Sequence, residues 1–185
     1  EFDQKYDKIR MVMGLYDNVM SAVVLKNSPI DNINQTKGLK VGVPSKTTGD
    51  IVAQLFEEAG VPKDQVKWVY LSYGEQAEAI KDGNIDVATF TAFPKNGTLE
   101  EVASTKGIKF LKVDQDVQES WTKKNPLWAF AKIPMGIYPG VDEDNYFYSV
   151  FAVLGANSDV PENVIYDLTK IIEENHDAIK SVHPA

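Results

Sequence analysis

A predicted strand is followed by a predicted helix, and the segment between them contains two hydroxyl side chains and a glycine. These residues are Thr47, Thr48 and Gly49. The first N–H groups of a helix have no acceptor within it, and the helix dipole favours negative charge there. An anion could therefore bind at this segment, with Gly49 permitting a close approach. The residue types alone favour the other interpretation, an ordinary N-cap. Asp50 supports that alternative because it adds a negative charge to the segment.

A second group of candidates lies at the end of the strand predicted over residues 85–90. Phe90 and Phe93 would form an apolar wall there, and Thr89 or Thr91 would supply a hydroxyl donor. The alternative is that the phenylalanines are core residues and the threonines simply favour a strand. The candidate ligand-binding residues of this strand end are Thr91, Phe93 and Pro94.

Composition excludes several kinds of chemistry. The chain has no cysteine, which removes disulfides, thiolate catalysis and zinc–thiolate sites. Its two histidines, His176 and His183, have no nucleophile pattern near them, and no hydrolase, metalloprotease or phosphate-loop motif occurs. The acidic cluster at residues 142–144 lacks the spacing of a calcium loop and is interpreted as a solvated turn. We expect no enzyme activity, no metal and no cofactor.

Charge excludes nucleic acid as a partner. The formal net charge is −8, and Arg10 is the only arginine. A nucleic-acid-binding protein needs a basic face to replace the counterions that it releases. We expect neither nucleic acid nor an anionic membrane surface to be bound.

The elements that must position the candidate residues alternate between strand and helix. This alternation predicts an α/β fold with a parallel-type sheet, and it places ligands at the carboxyl ends of the strands. The predicted elements are strands at 40–44, 66–71, 85–90 and 109–113, and helices at 51–59, 75–81, 99–104 and 117–124. Ser72 and Glu75 have capping-box spacing at the start of the second helix.

The two ends of the chain follow another pattern. Residues 8–28 predict a short helix or loop that runs into a strand at 20–26. After Pro126, extended segments are predicted at 127–133 and 149–154. A single long helix is predicted over 162–181, opened by Pro161.

Four stretches resemble, in the same order, the TAXI-type solute receptors of TRAP (tripartite ATP-independent periplasmic) transporters. A single stretch would be a weak match, whereas the ordered set is specific. The small-residue Gly-Ser-Gly-Thr loop of that family is replaced here by residues 47–50, and the resemblance implies that Thr47, Thr48 and Gly49 contact the ligand. The four stretches are TKGLKVGVPSKTTGD, LSYGEQAEAIKDGNIDVATFTAFP, KIPMGIYPGVDEDNYFYSVFAVL and PENVIYDLTKIIEENHDAIKSVHP.

The resemblance implies a type II periplasmic-binding-protein-like fold with two lobes. Residues 1–26 and 128–185 would form an incomplete lobe one, and residues 27–127 would form lobe two. The strand end at Thr91 and Phe93 would then lie at the floor of a cleft, together with Tyr138 of the Ile-Pro-x-Gly-x-Tyr segment. The alternative for Tyr138 is a turn tyrosine that packs near Pro134 and Pro139.

The same resemblance implies a secreted periplasmic or extracellular receptor, with or without a lipid anchor, whose leader is not part of this chain. Its ligand would be a small carboxylate or amino acid such as glutamate, 2-oxoglutarate or a dicarboxylate. Its partners would be the membrane permease subunits of a TRAP transporter. The second hypothesis is a ligand-sensing domain of a regulator or sensor with the same fold. An incomplete lobe one would expose strand edges, so we expect the chain to dimerise or swap segments.

Overall fold

The computed structural model describes residues 7–93 and 95–182. The described residues form seven strands and six α-helices. The strands are β1 (Ile9–Leu25), β2 (Lys40–Val43), β3 (Lys67–Tyr70), β4 (Val87–Phe93), β5 (Ile108–Phe110), β6 (Ala129–Ile133) and β7 (Asn145–Asn157). The helices are α1 (Lys46–Glu58), α2 (Tyr73–Lys81), α3 (Gly97–Lys106), α4 (Gln115–Lys124), α5 (Glu162–Glu174) and α6 (His176–Val182).

The chain divides into two compact units. The described residues of unit 1 are 7–17 and 151–182, and those of unit 2 are 18–93 and 95–150. Two strands, β1 and β7, continue from one unit into the other. These boundaries lie nearer the chain ends than the expected lobe boundaries at 26/27 and 127/128, and the division into lobes stays a prediction.

Unit 2 is built on a mixed sheet. β2 pairs in parallel with both β3 and β4, as the strand–helix alternation predicts. β1 pairs antiparallel with β4, where Val19 lies opposite Phe93. It also pairs antiparallel with β5, where Val23 lies opposite Phe110. Residues 19–24 of β1 are all buried, so both faces of this part of the sheet are covered. β6 and β7 form a further antiparallel pair, Ala129 opposite Ser149 through Ile133 opposite Asn145.

Helix α1 packs on this sheet through an apolar face that includes Val52, Leu55 and Phe56, all buried. Gly49 lies on the same side of the helix. A Cβ atom at Gly49 would lie 3.1 Å from Val43 Cγ2, so glycine lets the helix approach β2 closely. The chain turns after the helix at Gly60, whose φ of +81° suits glycine.

Unit 1 contains the first part of β1, the last part of β7, and helices α5 and α6. The Ser158 N–H donates to the Lys8 carbonyl at 2.7 Å. The predicted helix or loop before residue 20 is wrong, because β1 already begins at Ile9. Apolar side chains recur there at every second position, as in a strand, at Ile9, Met11, Met13 and Leu15. The single terminal helix is also wrong, because Asn175 separates α5 from α6.

Candidate functional site

Three helix N-termini meet at one edge of the unit 2 sheet. β2, β3 and β4 run parallel, so their carboxyl ends lie at the same edge. Each strand is followed by a helix, α1 after β2, α2 after β3 and α3 after β4. This edge is where α/β sheets usually bind ligands. We call it the carboxyl edge, and the candidate residues Thr47, Thr48, Thr91 and Phe93 lie along it.

Ser45 caps α1 and accepts hydrogen bonds from two of the three N–H groups of residues 47–49 that were expected to be free. Its hydroxyl accepts from the Thr48 N–H at 3.2 Å, and its carbonyl accepts from the Gly49 N–H at 2.9 Å. The expectation of free amides is therefore wrong for Thr48 and Gly49. The Thr47 N–H lies in the first turn, where it has no acceptor inside the helix, and Thr47 is exposed. Gly49 is buried against Val43, so its close approach is to the sheet.

The three N-termini differ in charge. The Glu75 carboxylate accepts from the backbone N–H and the hydroxyl of Ser72, and the hydroxyl bond foremost holds the pKa of Glu75 below its usual value. Glu75 thus places a fixed anion at the start of α2. Helix α3 has an acidic residue, Glu100, in its first turn. Helix α1 has no acidic residue in its first turn and begins with the basic residue Lys46. The N-terminus of α1 is therefore the one of these three with an uncompensated positive end.

The negative charge of Asp50 does not repel a bound anion to the extent that its position in the sequence suggested. Its carboxylate accepts from Lys63 Nζ at 2.6 Å, and this hydrogen bond is the main cause of its lowered pKa. The negative charge of Asp50 is thereby compensated by a partner that follows the end of α1.

Thr91 and Phe93 lie at the end of β4, both half-buried. The Thr91 hydroxyl donates to Met20 Sδ at 3.5 Å and shares a hydrogen bond of 3.1 Å with the Tyr73 hydroxyl. Because its hydrogen is engaged, Thr91 offers a ligand a lone pair instead of the expected donor. Sequence reasoning missed Tyr73, whose only signal was its place directly after the Ser72 cap.

The other candidates of β4 have structural roles. Thr89 is buried and its hydroxyl donates to the Gly42 carbonyl at 2.8 Å. Phe90 is buried and stacks on Tyr73 with ring centroids 5.4 Å apart. The alternative interpretation therefore holds for Phe90, which is a core residue. Pro94 lies outside the described residues.

Tyr138 is buried beneath the carboxyl edge, with only 1% of its surface exposed. Its hydroxyl donates to the Ala92 carbonyl at 2.8 Å and accepts from the Asn96 N–H, also at 2.8 Å. Burial raises the pKa of Tyr138 to about 12. The two bonds join the end of β4 to the cap of α3, so the phenol positions this connection and has no hydrogen to donate to a ligand.

The acidic cluster at residues 142–144 behaves as a solvated turn. All three carboxylates are exposed and pair with lysines: Asp142 with Lys26, Glu143 with Lys112 and Asp144 with Lys132. Across residues 7–93 and 95–182, no group of three or more acidic, histidine or cysteine side chains could hold a metal ion. None of the helices in these ranges is long and apolar enough to cross a membrane.

The fold is similar to that of solved solute-binding proteins. A Streptococcus mutans structure, from work on glutathione import via GshT and the cystine ABC importer TcyBC, aligns with TM-score 0.51 and 17% identity, over 96% of this chain and 61% of that one. The probable amino-acid ABC transporter extracellular-binding protein ytmK from Bacillus subtilis aligns with TM-score 0.50 and 16% identity, over 96% and 62%. A substrate-binding protein of an amino acid ABC transporter aligns with TM-score 0.50 and 16% identity, over 92% of this chain and 59% of that one.

These likenesses confirm the predicted periplasmic-binding-protein-like α/β fold. At such low identity they show the fold alone. A sequence profile of the NMT1-like family matches residues 1–185, and the chain belongs to that family. The chain spans only 59% to 62% of the length of these three solved structures.

Proposed function

We propose that this chain is the ligand-binding part of an extracytoplasmic solute receptor that captures a small carboxylate or amino acid. The observation that carries the proposal is the uncompensated N-terminus of α1 at the carboxyl edge. An exposed amide and hydroxyl at Thr47 and the ammonium group of Lys46 are available there, while Glu75 already occupies the neighbouring α2. Membership of the NMT1-like family and the solute-receptor fold support the same function.

In this proposal, binding is the activity and no reaction is catalysed. The carboxylate accepts hydrogen bonds from the Thr47 N–H and hydroxyl, and Phe93 and Tyr73 provide the apolar wall beside it. Thr48 and Gly49 fix the helix start, Thr91 holds Tyr73, and Tyr138 holds the β4–α3 connection. The candidate residues thus divide into ligand contacts and the residues that position them.

We propose the TRAP type of transporter, and the TAXI class within it, on the four stretches that resemble those receptors. The partners would then be TRAP permease subunits, and the ligand would be glutamate, 2-oxoglutarate or a related dicarboxylate. The lobes of this proposal are those of the sequence prediction, with the carboxyl edge in lobe two. A periplasmic or extracellular location follows from the same proposal.

Isothermal titration calorimetry of the chain with glutamate, 2-oxoglutarate and succinate tests the proposal. Thr47→Val removes one hydroxyl and Lys46→Gln removes one charge, so each is expected to weaken binding about tenfold. Thr98→Val is the matched control, since Thr98 occupies the same position in α3 as Thr47 does in α1. Absence of binding to every carboxylate and amino acid would contradict the proposal, and so would equal binding by Thr47→Val.

A further inference from the structure

An open cavity of about 270 Å³ lies within unit 1. It is lined by residues 13–16 of β1, by Ile172 of α5, and by His176, Ile179 and Lys180 of α6. All of these residues belong to unit 1, whereas the candidate carboxylate site is built from unit 2. The cavity therefore shares no residue with the carboxyl edge, and its chemistry can be considered separately.

Most of the lining of this cavity is apolar and still partly accessible to water. Met13, Tyr16 and Ile172 are half-buried, while Leu15 is 47% and Ile179 is 49% exposed. A hydrocarbon chain bound here would cover this surface, and each methylene that it buries would raise the affinity by up to about fourfold. The volume lies just below the range that is usual for small-molecule sites, which favours a ligand with a single short chain.

Gly14 leaves open space within this lining. It lies inside β1, where glycine is an unfavourable residue, and it is not one of the glycines with a positive φ. A Cβ atom on Gly14 would have no other atom of the protein within 4 Å. Neither backbone conformation nor packing among the described residues therefore requires a glycine here. A strand glycine of this kind often marks the place where a ligand or another backbone approaches closely.

The ionisable groups of the lining are basic, although the chain as a whole carries a formal charge of −8. His176 and Lys180 lie four positions apart on α6, on the same side of the helix. His176 Nδ1 is 3.5 Å from an Asp177 oxygen, whereas Lys180 forms no ion pair with any described residue. An anionic group bound in the cavity would gain Lys180 as a partner and could accept a hydrogen bond from the imidazole of His176.

We propose that this cavity is a second binding site, which takes an aliphatic monocarboxylate. The carboxylate pairs with Lys180, and the hydrocarbon chain packs against Ile172 and Ile179 and uses the open space at Gly14. Such a ligand differs in chemistry from the amino acid or dicarboxylate proposed for the carboxyl edge. The proposal does not depend on that site, since it uses none of the residues placed there.

The test is an NMR titration of ¹⁵N-labelled protein with octanoate, below the concentration at which octanoate forms micelles. Octan-1-ol and octylammonium serve as the neutral and the cationic ligand with the same chain. Octanoate is expected to give saturable shifts at the backbone amides of Gly14 and Ile179. Octylammonium should bind at least about tenfold more weakly, because Lys180 repels it and attracts octanoate. Absence of saturable shifts with octanoate, or equal binding of octanoate and octylammonium, would overturn the proposal.

Lys180→Gln separates the effect of the charge from that of the chain. It should weaken octanoate binding about fivefold, as expected for an exposed ion pair, and leave octan-1-ol binding unchanged. The matched control Lys170→Gln removes the same charge from an exposed position of α5 outside the cavity, and it should change neither. Unchanged octanoate binding by Lys180→Gln, or an equal loss in both variants, would overturn the proposal.

Ile179→Ala tests the apolar part of the site. It should weaken octanoate and octan-1-ol alike, by about fourfold or more, and Ile171→Ala, at a similarly exposed isoleucine outside the cavity, should weaken neither. If Ile179→Ala does not fold, intermolecular NOEs in the unmodified protein decide: contacts from octanoate to Ile172 and Ile179 support the site, and NOEs only elsewhere overturn it. Shifts that follow protein concentration instead of octanoate concentration would show a second copy at this surface and would also overturn the proposal.

Discussion

Helices α1 and α5 are both 13 residues long and both amphipathic, yet they lie in surroundings that differ sharply. In unit 2, α1 buries five residues against the sheet and neighbouring helices. In unit 1, α5 buries none, and its apolar residues Val164, Leu168 and Ile171 are each 38% to 57% exposed. An amphipathic pattern predicts a helix correctly in both units. Burial of the apolar stripe needs a facing surface, and in unit 1 even the more enclosed residues of α5, Ile165 and Ile172, are only half-buried.

The strands of unit 1 show the same difference. Ile9, Met11 and Leu15 of β1 are exposed, as are Phe151 and Val153 of β7, whereas residues 19–24 of β1 are buried. No residue of 7–17 or 151–181 is buried, so every buried residue of the described ranges lies in unit 2. Contiguous exposed apolar patches are typical of interaction surfaces, so we expect this face of unit 1 to have a partner.

The largest expected effect is on the free energy of unfolding, when the same substitution is made in each of the two units. Phe90→Ala removes a fully buried ring from unit 2 and should lower the free energy of unfolding by about 3–5 kcal/mol. Phe151→Ala removes a ring that is 64% exposed and should change it by less than about 0.5 kcal/mol. Urea unfolding followed by tryptophan fluorescence is the measurement, because all three tryptophans lie in unit 2.

Equal destabilisation by the two alanine substitutions would break the contrast between the units. If Phe90→Ala does not fold, the pair Phe90→Leu and Phe151→Leu serves for the same comparison. The leucine substitutions should preserve the order at a smaller difference, since leucine refills much of the lost volume.

A second matched pair concerns tyrosine hydroxyls. Tyr138→Phe in unit 2 leaves the Ala92 carbonyl and the Asn96 N–H without their partner and should cost about 1–3 kcal/mol. Tyr166→Phe in unit 1 should be close to neutral, because Tyr166 is 64% exposed. Thermal unfolding at neutral pH measures both. A neutral Tyr138→Phe would show that the β4–α3 connection holds without the phenol.

The pH dependence of the same pair has a definite sign. The folded state raises the pKa of Tyr138 from 10.0 to about 12, so the neutral phenol is favoured by folding. Its stabilising contribution is complete below pH 10 and is lost as the pH rises from there towards about 12. Tyr138→Phe should therefore lose less stability than the unmodified chain over that range. A parallel loss in both proteins would rule out Tyr138 as the cause.

Local signals predicted much of unit 2 from sequence. The capping box of Ser72 and Glu75 and the apolar spacing of α1 depend on residues within one or two turns, and both are confirmed. The hydrogen bonds of Tyr138 join residues 42 and 46 positions away and leave no local pattern. The buried Oδ1 of Asn145, which has no hydrogen-bond partner among the described residues, was equally invisible because it is a property of packing. In β1, alternation at Ile9–Leu15 was the signal for a strand and was missed.

The smallest expected effect concerns association through the exposed face of unit 1. Self-association of this chain stays a prediction, and the exposed apolar surface that includes Met11 and Phe151 is where we expect it to occur. The double variant Met11→Lys, Phe151→Lys should weaken self-association at least about tenfold, about 1.4 kcal/mol, because lysine resists burial. The control Asn84→Lys, Ser104→Lys adds the same charge at exposed positions of unit 2 and should leave association unchanged. Sedimentation velocity over a range of concentrations measures both. A monodisperse monomer for the unmodified chain would contradict the prediction, and equal association by the two variants would move the interface away from unit 1.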